Sequence, residues 1–200
     1  MAVLISGSGS NLQAILDART SADECATEPV VVISDRPRAY GLDRADAAGI
    51  PTEVVLWSDY ESREAFTSAI CDVIEKYQAR LVVLAGFMRI LSPEAVTRFP
   101  HAILNVHPAL LPAFPGAHAV EQALAYGVKQ TGVTVHFVDE HVDHGAIIAQ
   151  RSVGINNDDD LASLHARLQK AEHKLYPKCI EAAAQGRLRV EGRKVIWDGH

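Results

Sequence analysis

Residues 2–18 read AVLISGSGSNLQAILDA, and this stretch holds the unit on which the rest of the fold is built. Residues 2–6 form an almost wholly apolar run of strand length, as a strand buried on both faces requires. Gly7 and Gly9, interleaved with serines, break it. From Asn11 the apolar residues recur at helical spacing over residues 11–22. Strand, glycine turn, helix is the opening of an α/β protein.

The same alternation continues outward. Strands are expected at residues 2–6, 29–34, 53–56, 80–85, 102–105, 131–138 and 147–153, and helices at 11–22, 38–48, 59–78 and 93–99. In the third helix Phe66, Ile70, Val73, Ile74 and Tyr77 form a core-facing stripe. Apolar strands alternating with amphipathic helices imply a parallel sheet covered on both faces, and right-handed crossovers make it doubly wound. Ligands in such sheets bind at the carboxyl ends of the strands.

After residue 100 the pattern changes. The segment NVHPALLPAFPGAH (105–118) holds three prolines and reads as an extended functional loop. Only DEHVDHGA (139–146) joins the strands on either side of it, too little for a helical crossover, so they are antiparallel neighbours. NNDDD (156–160) opens a long helix whose positive end the carboxylates oppose; it is expected to run to Ala184 and stop at Gly186, with Pro177 a place for a kink. The tail from Arg187 is expected to form a short hairpin or to fray. One domain, residues 1–200, is expected.

Composition narrows the function. With 200 residues, 48% hydrophobic and 22% charged, the chain is globular and buries about 70% of its unfolded surface without a staple. Cys25, Cys71 and Cys179 are scattered and odd in number, which excludes a disulfide framework and fits a reducing compartment. A net charge of −6 with no basic stripe excludes nucleic acid and anionic membrane as partners. No apolar run spans a bilayer, and the first residues, MAVLISGSGS, are not expected to be a signal peptide. The expected location is the cytoplasm.

Two clusters carry chemistry. SGSGSNL (6–12) places glycines and hydroxyls where backbone N–H groups and a helix N-terminus receive an anion. Leu12 stands where a dinucleotide fingerprint needs its third glycine, and no Walker lysine follows, so a phosphate cradle is weighed against a plain tight turn and favoured. Asp35 in SDRP reads as a turn residue rather than a ribose-binding acid. In the second cluster, Asn105 and His107 lie two apart on one strand and point to the same side; Asp143 sits in the short connection after the next strand. An amide donor, an imidazole and a carboxylate make an oxyanion site with a general acid, since a carboxylate favours a charged imidazole. No nucleophile elbow is present, so direct transfer between two bound substrates is expected. His136, His141, His144 and Asp143 crowd together, but they straddle a strand and a turn, and no metal is expected. His165 and His173 read as packing or surface groups.

The segments ISGSGSNLQAILDA, LAGFMRILSP, ILNVHPALLPAFPGAHA, GVTVHFVDEHVDHGAIIAQ and LQKAEHKLYP together resemble the phosphoribosylglycinamide (glycinamide ribonucleotide) formyltransferase family, in the family's order and over essentially the whole chain. The resemblance implies a three-layer, mostly parallel seven-stranded sheet with one antiparallel strand. It implies transfer of a formyl group from 10-formyltetrahydrofolate, as co-substrate, to the amine of glycinamide ribonucleotide in purine biosynthesis, by a monomer or homodimer. By motif, it assigns Asn105, His107 and Asp143 to catalysis. Gly9, Ser10 and Asn11 would hold the nucleotide's ribose-phosphate, with Gln169, Lys170 and Glu172 on the same side. Arg63, the run Met88, Arg89, Ile90 and Leu91, Asn105, and the loop Asp139, Glu140, His141, Val142 and Asp143 would contact the folate.

The chain departs from the family's pattern at three places. Asp143-His144-Gly145-Ala146 lacks the proline that relatives carry after the glycine, which is expected to loosen the folate loop. Val120 stands where relatives have a second histidine, and Glu121 adds an acid. Two related activities are disfavoured: formyltetrahydrofolate hydrolases add an N-terminal domain, and methionyl-tRNA formyltransferases need a further domain and a basic surface. A non-catalytic nucleotide- or folate-binding module would not need a poised acid.

Overall fold

The computed structural model describes residues 1–20 and 27–198. Cys25 and the expected last residues of the first helix lie outside them. The strands are β1 (Ala2–Ile5), β2 (Val31–Ser34), β3 (Thr52–Val54), β4 (Val82–Leu84), β5 (Ile103–His107), β6 (Gln130–Phe137), β7 (Ile147–Gly154), β8 (Leu188–Glu191) and β9 (Lys194–Trp197). The helices are α1 (Ser10–Thr20), α2 (Tyr40–Ala47), α3 (Arg63–Lys76), α4 (Pro93–Arg98), α5 (Ala119–Tyr126) and α6 (Leu161–Ala184).

Every residue of β1 is buried, and its side chains divide between the two faces of the sheet. Val3 and Ile5 pack with Leu12, Ile15, Tyr176 and Ile180 beneath α1 and α6. Ala2 and Leu4 pack with Phe66, Ile70, Ile74 and Phe99 beneath α3 and α4. This is the period-two division expected of a strand covered on both sides.

The sheet order is β3-β2-β1-β4-β5-β6-β7-β9-β8. Strands β1 to β5 are mutually parallel. Strand β6 runs antiparallel to β7, as their short connection required, and also to β5, so it alone is reversed among the first seven. The tail forms the hairpin β8–β9, which joins the sheet at β7 through the pair Ile147 and Lys194. The chain winds outward from β1 to β3 and then returns to β4, so the switch point lies between β1 and β4. A crevice opens there at the carboxyl ends of the strands.

Three elements differ from expectation. The third helix begins at Arg63, because Ser62 caps it by accepting from the Ala65 N–H at 3.1 Å, after a separate 3₁₀ turn at Trp57–Asp59. Helix α5 was not anticipated; it is short and its N-cap, His118, makes no side-chain cap bond, so its main sequence signal is Gly127 in the left-handed conformation at its end. Helix α6 passes through Pro177 as one element about 36 Å long. It starts from a capping box of Asp160 and Ser163. The fully buried Tyr176 donates its hydroxyl to the carbonyls of Leu84 at 3.0 Å and Leu104 at 2.8 Å, fastening α6 to the ends of β4 and β5.

Candidate active site

Three loops, those after β1, β4 and β6, form the walls of the site around the end of β5. The first is the glycine loop. Its carbonyls face away from the crevice: Gly7 accepts from the Gly41 N–H at 3.0 Å, and Ser8 accepts from Arg44 Nε at 2.9 Å. The first N–H groups of α1 are those a helix leaves without internal partners. Gly9 has φ +68°, and a Cβ there would stand 2.5 Å from the Gly41 Cα, so α2 and the loop meet backbone to backbone. Helix α6 closes the other side. Gln169 Nε2 donates to Ser10 Oγ at 2.8 Å, and Asn11 Nδ2 donates to Glu172 Oε2 at 3.0 Å. Among the described residues, the buried Asn11 Oδ1 has no hydrogen-bond partner. Lys170 is exposed on the same helix. The expected nucleotide-side residues are therefore neighbours; of the three on α6, Lys170 alone is joined to Ser10 or Asn11 by no hydrogen bond or ion pair among the described residues.

The second loop carries residues 86–92. Its Met88 N–H donates to Ser6 Oγ at 2.8 Å and its Ser92 N–H to Thr67 Oγ1 at 2.9 Å, which locks it between β1 and α3. Met88 and Ile90 are well exposed, at 66% and 56%, so they are not core residues. Arg89 Nε donates to Asp35 Oδ2 at 2.8 Å, and its guanidinium lies 5.2 Å from the Trp57 ring centre. Asp35 is thus the buried ion-pair partner of Arg89, a role that neither the turn nor the ribose reading anticipated. Arg63 is half-exposed at the start of α3, beside Glu64. Its helix borders this loop through Phe66, which stacks on Phe87.

Asn105, His107 and Asp143 come together at the end of β5. Asp143 Oδ2 accepts from the Gly116 N–H at 2.7 Å and lies 3.3 Å from His107 Nδ1; its Oδ1 lies 3.5 Å from Asn105 Nδ2. His107 Nε2 is 2.8 Å from the Phe114 carbonyl. His136 joins the cluster, with Nε2 3.3 Å from Asn105 Nδ2 and 3.6 Å from Asp143 Oδ1. Sequence reading weighed His136 only as a metal ligand. Its place follows from the strand register, in which His136 stands directly opposite Asn105. Burial raises the pKa of Asp143, but the contact with His136, the Gly116 N–H and the nearby His107 outweigh it and hold the carboxyl below its ordinary value. Asp143 is therefore a carboxylate at neutral pH. Its backbone is left-handed, with φ +52°.

The third wall is the loop 139–146. Asp139 accepts from the His141 N–H at 2.9 Å and bonds His144 Nδ1 at 2.7 Å. Asp139, His141 and His144 offer ligand atoms within 4.8 Å of one another, whereas His136 lies apart from them, buried beside Asn105. In that cluster Asp139 already bonds His144, and the Arg193 cation lies against the His144 ring. Beyond β5, a groove of about 610 Å³ lined by Pro108, His118 and Glu121 separates the starts of α5 and α6. Val120 is buried and Glu121 pairs with His118.

Residues 1–180 match the formyl transferase family. The trifunctional purine biosynthetic protein adenosine-3 of Bos taurus is 46% identical over 198 residues; the match takes in 98% of this chain but only 20% of that much longer protein. The phosphoribosylglycinamide formyltransferase of Escherichia coli (strain K12) is 43% identical over 202 residues, covering 98% of this chain and 92% of that one. The crystal structure of glycinamide ribonucleotide transformylase 1 from Symbiobacterium toebii superposes with a TM-score of 0.95 at 47% identity, covering 98% of this chain and 92% of that one.

Proposed function

The chain belongs to the formyl transferase family, and from that premise we infer that it is an enzyme that moves the formyl group of 10-formyltetrahydrofolate to the amine of glycinamide ribonucleotide. The observation that carries this reading is the charged Asp143 set between Asn105 and His107, at a crevice with an anion cradle on one side and an exposed apolar segment on the other.

In the proposed reaction the free amine attacks the formyl carbon and gives a tetrahedral intermediate with an oxyanion and a positive nitrogen. Asn105 Nδ2 and the His107 imidazolium donate to that oxyanion. Both donors are engaged here by groups the substrate would replace. The Asn105 contact with Asp143 is long at 3.5 Å, and His107 must turn from the Phe114 carbonyl. A proton then leaves the attacking nitrogen, passes through water held by Asp143, and reaches the departing folate nitrogen as the carbon–nitrogen bond breaks. No side chain is formylated.

Gly9, Ser10 and Asn11 hold the ribose-phosphate in this reading, with Gln169, Lys170 and Glu172 beside them. Met88, Arg89, Ile90 and Leu91, Arg63, Asn105 and residues 139–143 receive the folate. The chain acts as one domain, monomer or homodimer, in the cytoplasm. Supporting that location, no helix among the described residues is long and apolar enough to cross a membrane, and Cys71 and Cys179 are free thiols. The test is a formyl-transfer assay with and without glycinamide ribonucleotide. Consumption of donor only when acceptor is present supports the reading. Donor hydrolysis without acceptor would identify a hydrolase, and binding without turnover a binding module.

A further inference from the structure

The loop 139–146 carries Asp143, and Ala146 stands where relatives carry a proline, a difference expected to loosen it. The structure supplies other ties. At its base, a Cβ on Gly145 would overlap the Phe137 carbonyl, so the loop closes backbone against backbone. At its middle, Asp139 gathers the His141 N–H and the His144 ring. The third tie comes from the far end of the chain. Trp197 Nε1 donates to the Ile148 carbonyl at 3.0 Å, and Lys194 pairs with Ile147, so β9 lies along the strand that leaves the loop. Arg193, just before β9, then reaches back over the loop. Its Nη2 donates to the His144 carbonyl at 2.7 Å, and its Nη1 lies 3.1 Å and 3.4 Å from the two His144 ring nitrogens.

The His144 carbonyl closely follows the Asp143 backbone, whose φ of +52° is costly for a residue other than glycine. Such a conformation persists only where its surroundings over-determine it. The Gly116 N–H fixes the Asp143 side chain from one direction, and Arg193 fixes the following residue from the other. A guanidinium suits this task because its planar fork meets the carbonyl and the ring at once.

We propose that Arg193 is a positioning residue for Asp143: the C-terminal hairpin straps the loop into the shape that the formyl donor meets. The proposal rests on the function inferred above for Asp143. The hydrogen bonds of Arg193 go to His144 and to none of Asn105, His107 and Asp143, so it acts through His144.

The test compares Arg193→Ala and Arg193→Lys in the full chain with Arg189→Ala. Arg189 lies on the same hairpin but pairs with Glu191 and Asp198. Steady-state kinetics are read for each substrate, and amide hydrogen exchange over residues 139–146 is followed by mass spectrometry. Arg193→Ala is expected to lower kcat/KM for the formyl donor about tenfold, because small misplacement of a catalytic group is costly. KM for the ribonucleotide should hold, and exchange in the loop should speed up. Arg193→Lys, which keeps a donor for the carbonyl, should recover part of both effects, and Arg189→Ala should show neither. Unchanged loop exchange and unchanged kcat/KM for the formyl donor in Arg193→Ala would overturn the strap, as would equal rises in KM for both substrates with a lowered melting temperature. Should the wild-type chain transfer no formyl group, the proposed function fails, while the exchange rates still decide whether Arg193 holds the loop.

Discussion

Replacing Asp143 with Asn keeps the shape of the side chain and removes its charge. The carboxylate has four contacts: the Gly116 N–H at 2.7 Å, His107 at 3.3 Å, Asn105 at 3.5 Å and His136 at 3.6 Å. An asparagine can satisfy only one side of this set. With its oxygen on Gly116, its NH₂ faces the Asn105 NH₂; with the amide reversed, the NH₂ faces the Gly116 N–H. Loss of hydrogen bonds to a charged group costs about 1.5–3 kcal/mol each at most, and the three longer contacts fall below that. A net loss of about 1–3 kcal/mol is expected at pH 7 by urea unfolding. Turnover should fall much further, by about 10²–10⁴, since the water that relays the proton loses the carboxylate that holds it, while both substrates still bind. The stability difference also has a pH signature. The folded pKa of Asp143 is lowered, so its stabilisation is complete above the ordinary carboxylate value and disappears as pH falls through the lowered one. Wild type and variant should therefore converge in stability in acid, below about pH 4. Near-native turnover of Asp143→Asn from about pH 6 to 9, across the range where imidazole titrates, would refute the coupling of Asp143 to His107.

Three further outcomes are expected. Gly9→Ala adds a Cβ at φ +68° against the Gly41 backbone, which should cost about 1–3 kcal/mol of stability and raise KM for the ribonucleotide with that for the donor unchanged; parallel rises in both KM values would mean a general folding defect. Tyr176→Phe leaves the Leu84 and Leu104 carbonyls without their shared buried donor, and denaturant titration should show a loss of about 1–3 kcal/mol. Incubation with labelled formyl donor and no acceptor should leave the protein unlabelled by mass spectrometry, whereas an adduct that passes its label to added acceptor would sink direct transfer.

Wherever local physics sets the outcome, the amino-acid order alone determined it. The apolar strands, the glycine turn at residues 7–9, the antiparallel pairing of β6 with β7 across their short connection, and the start of α6 at its acidic cap all follow from spacing, φ preferences and capping. So does the common side of Asn105 and His107, because strand side chains alternate with period two. What only the tertiary structure decided are the pairings between distant segments. His136 reaches Asn105 through the β5–β6 register, which short strands do not specify until their faces are buried. Asp35 finds Arg89 across 54 positions, and Arg193 finds His144 across 49. Such contacts leave no periodic trace in the chain, because they depend on which side chains packing brings to one edge of the sheet. Helix α5 is a related case: eight residues are too few to hold a helix alone, and it forms because Val120 and Ala123 are buried in the folded chain.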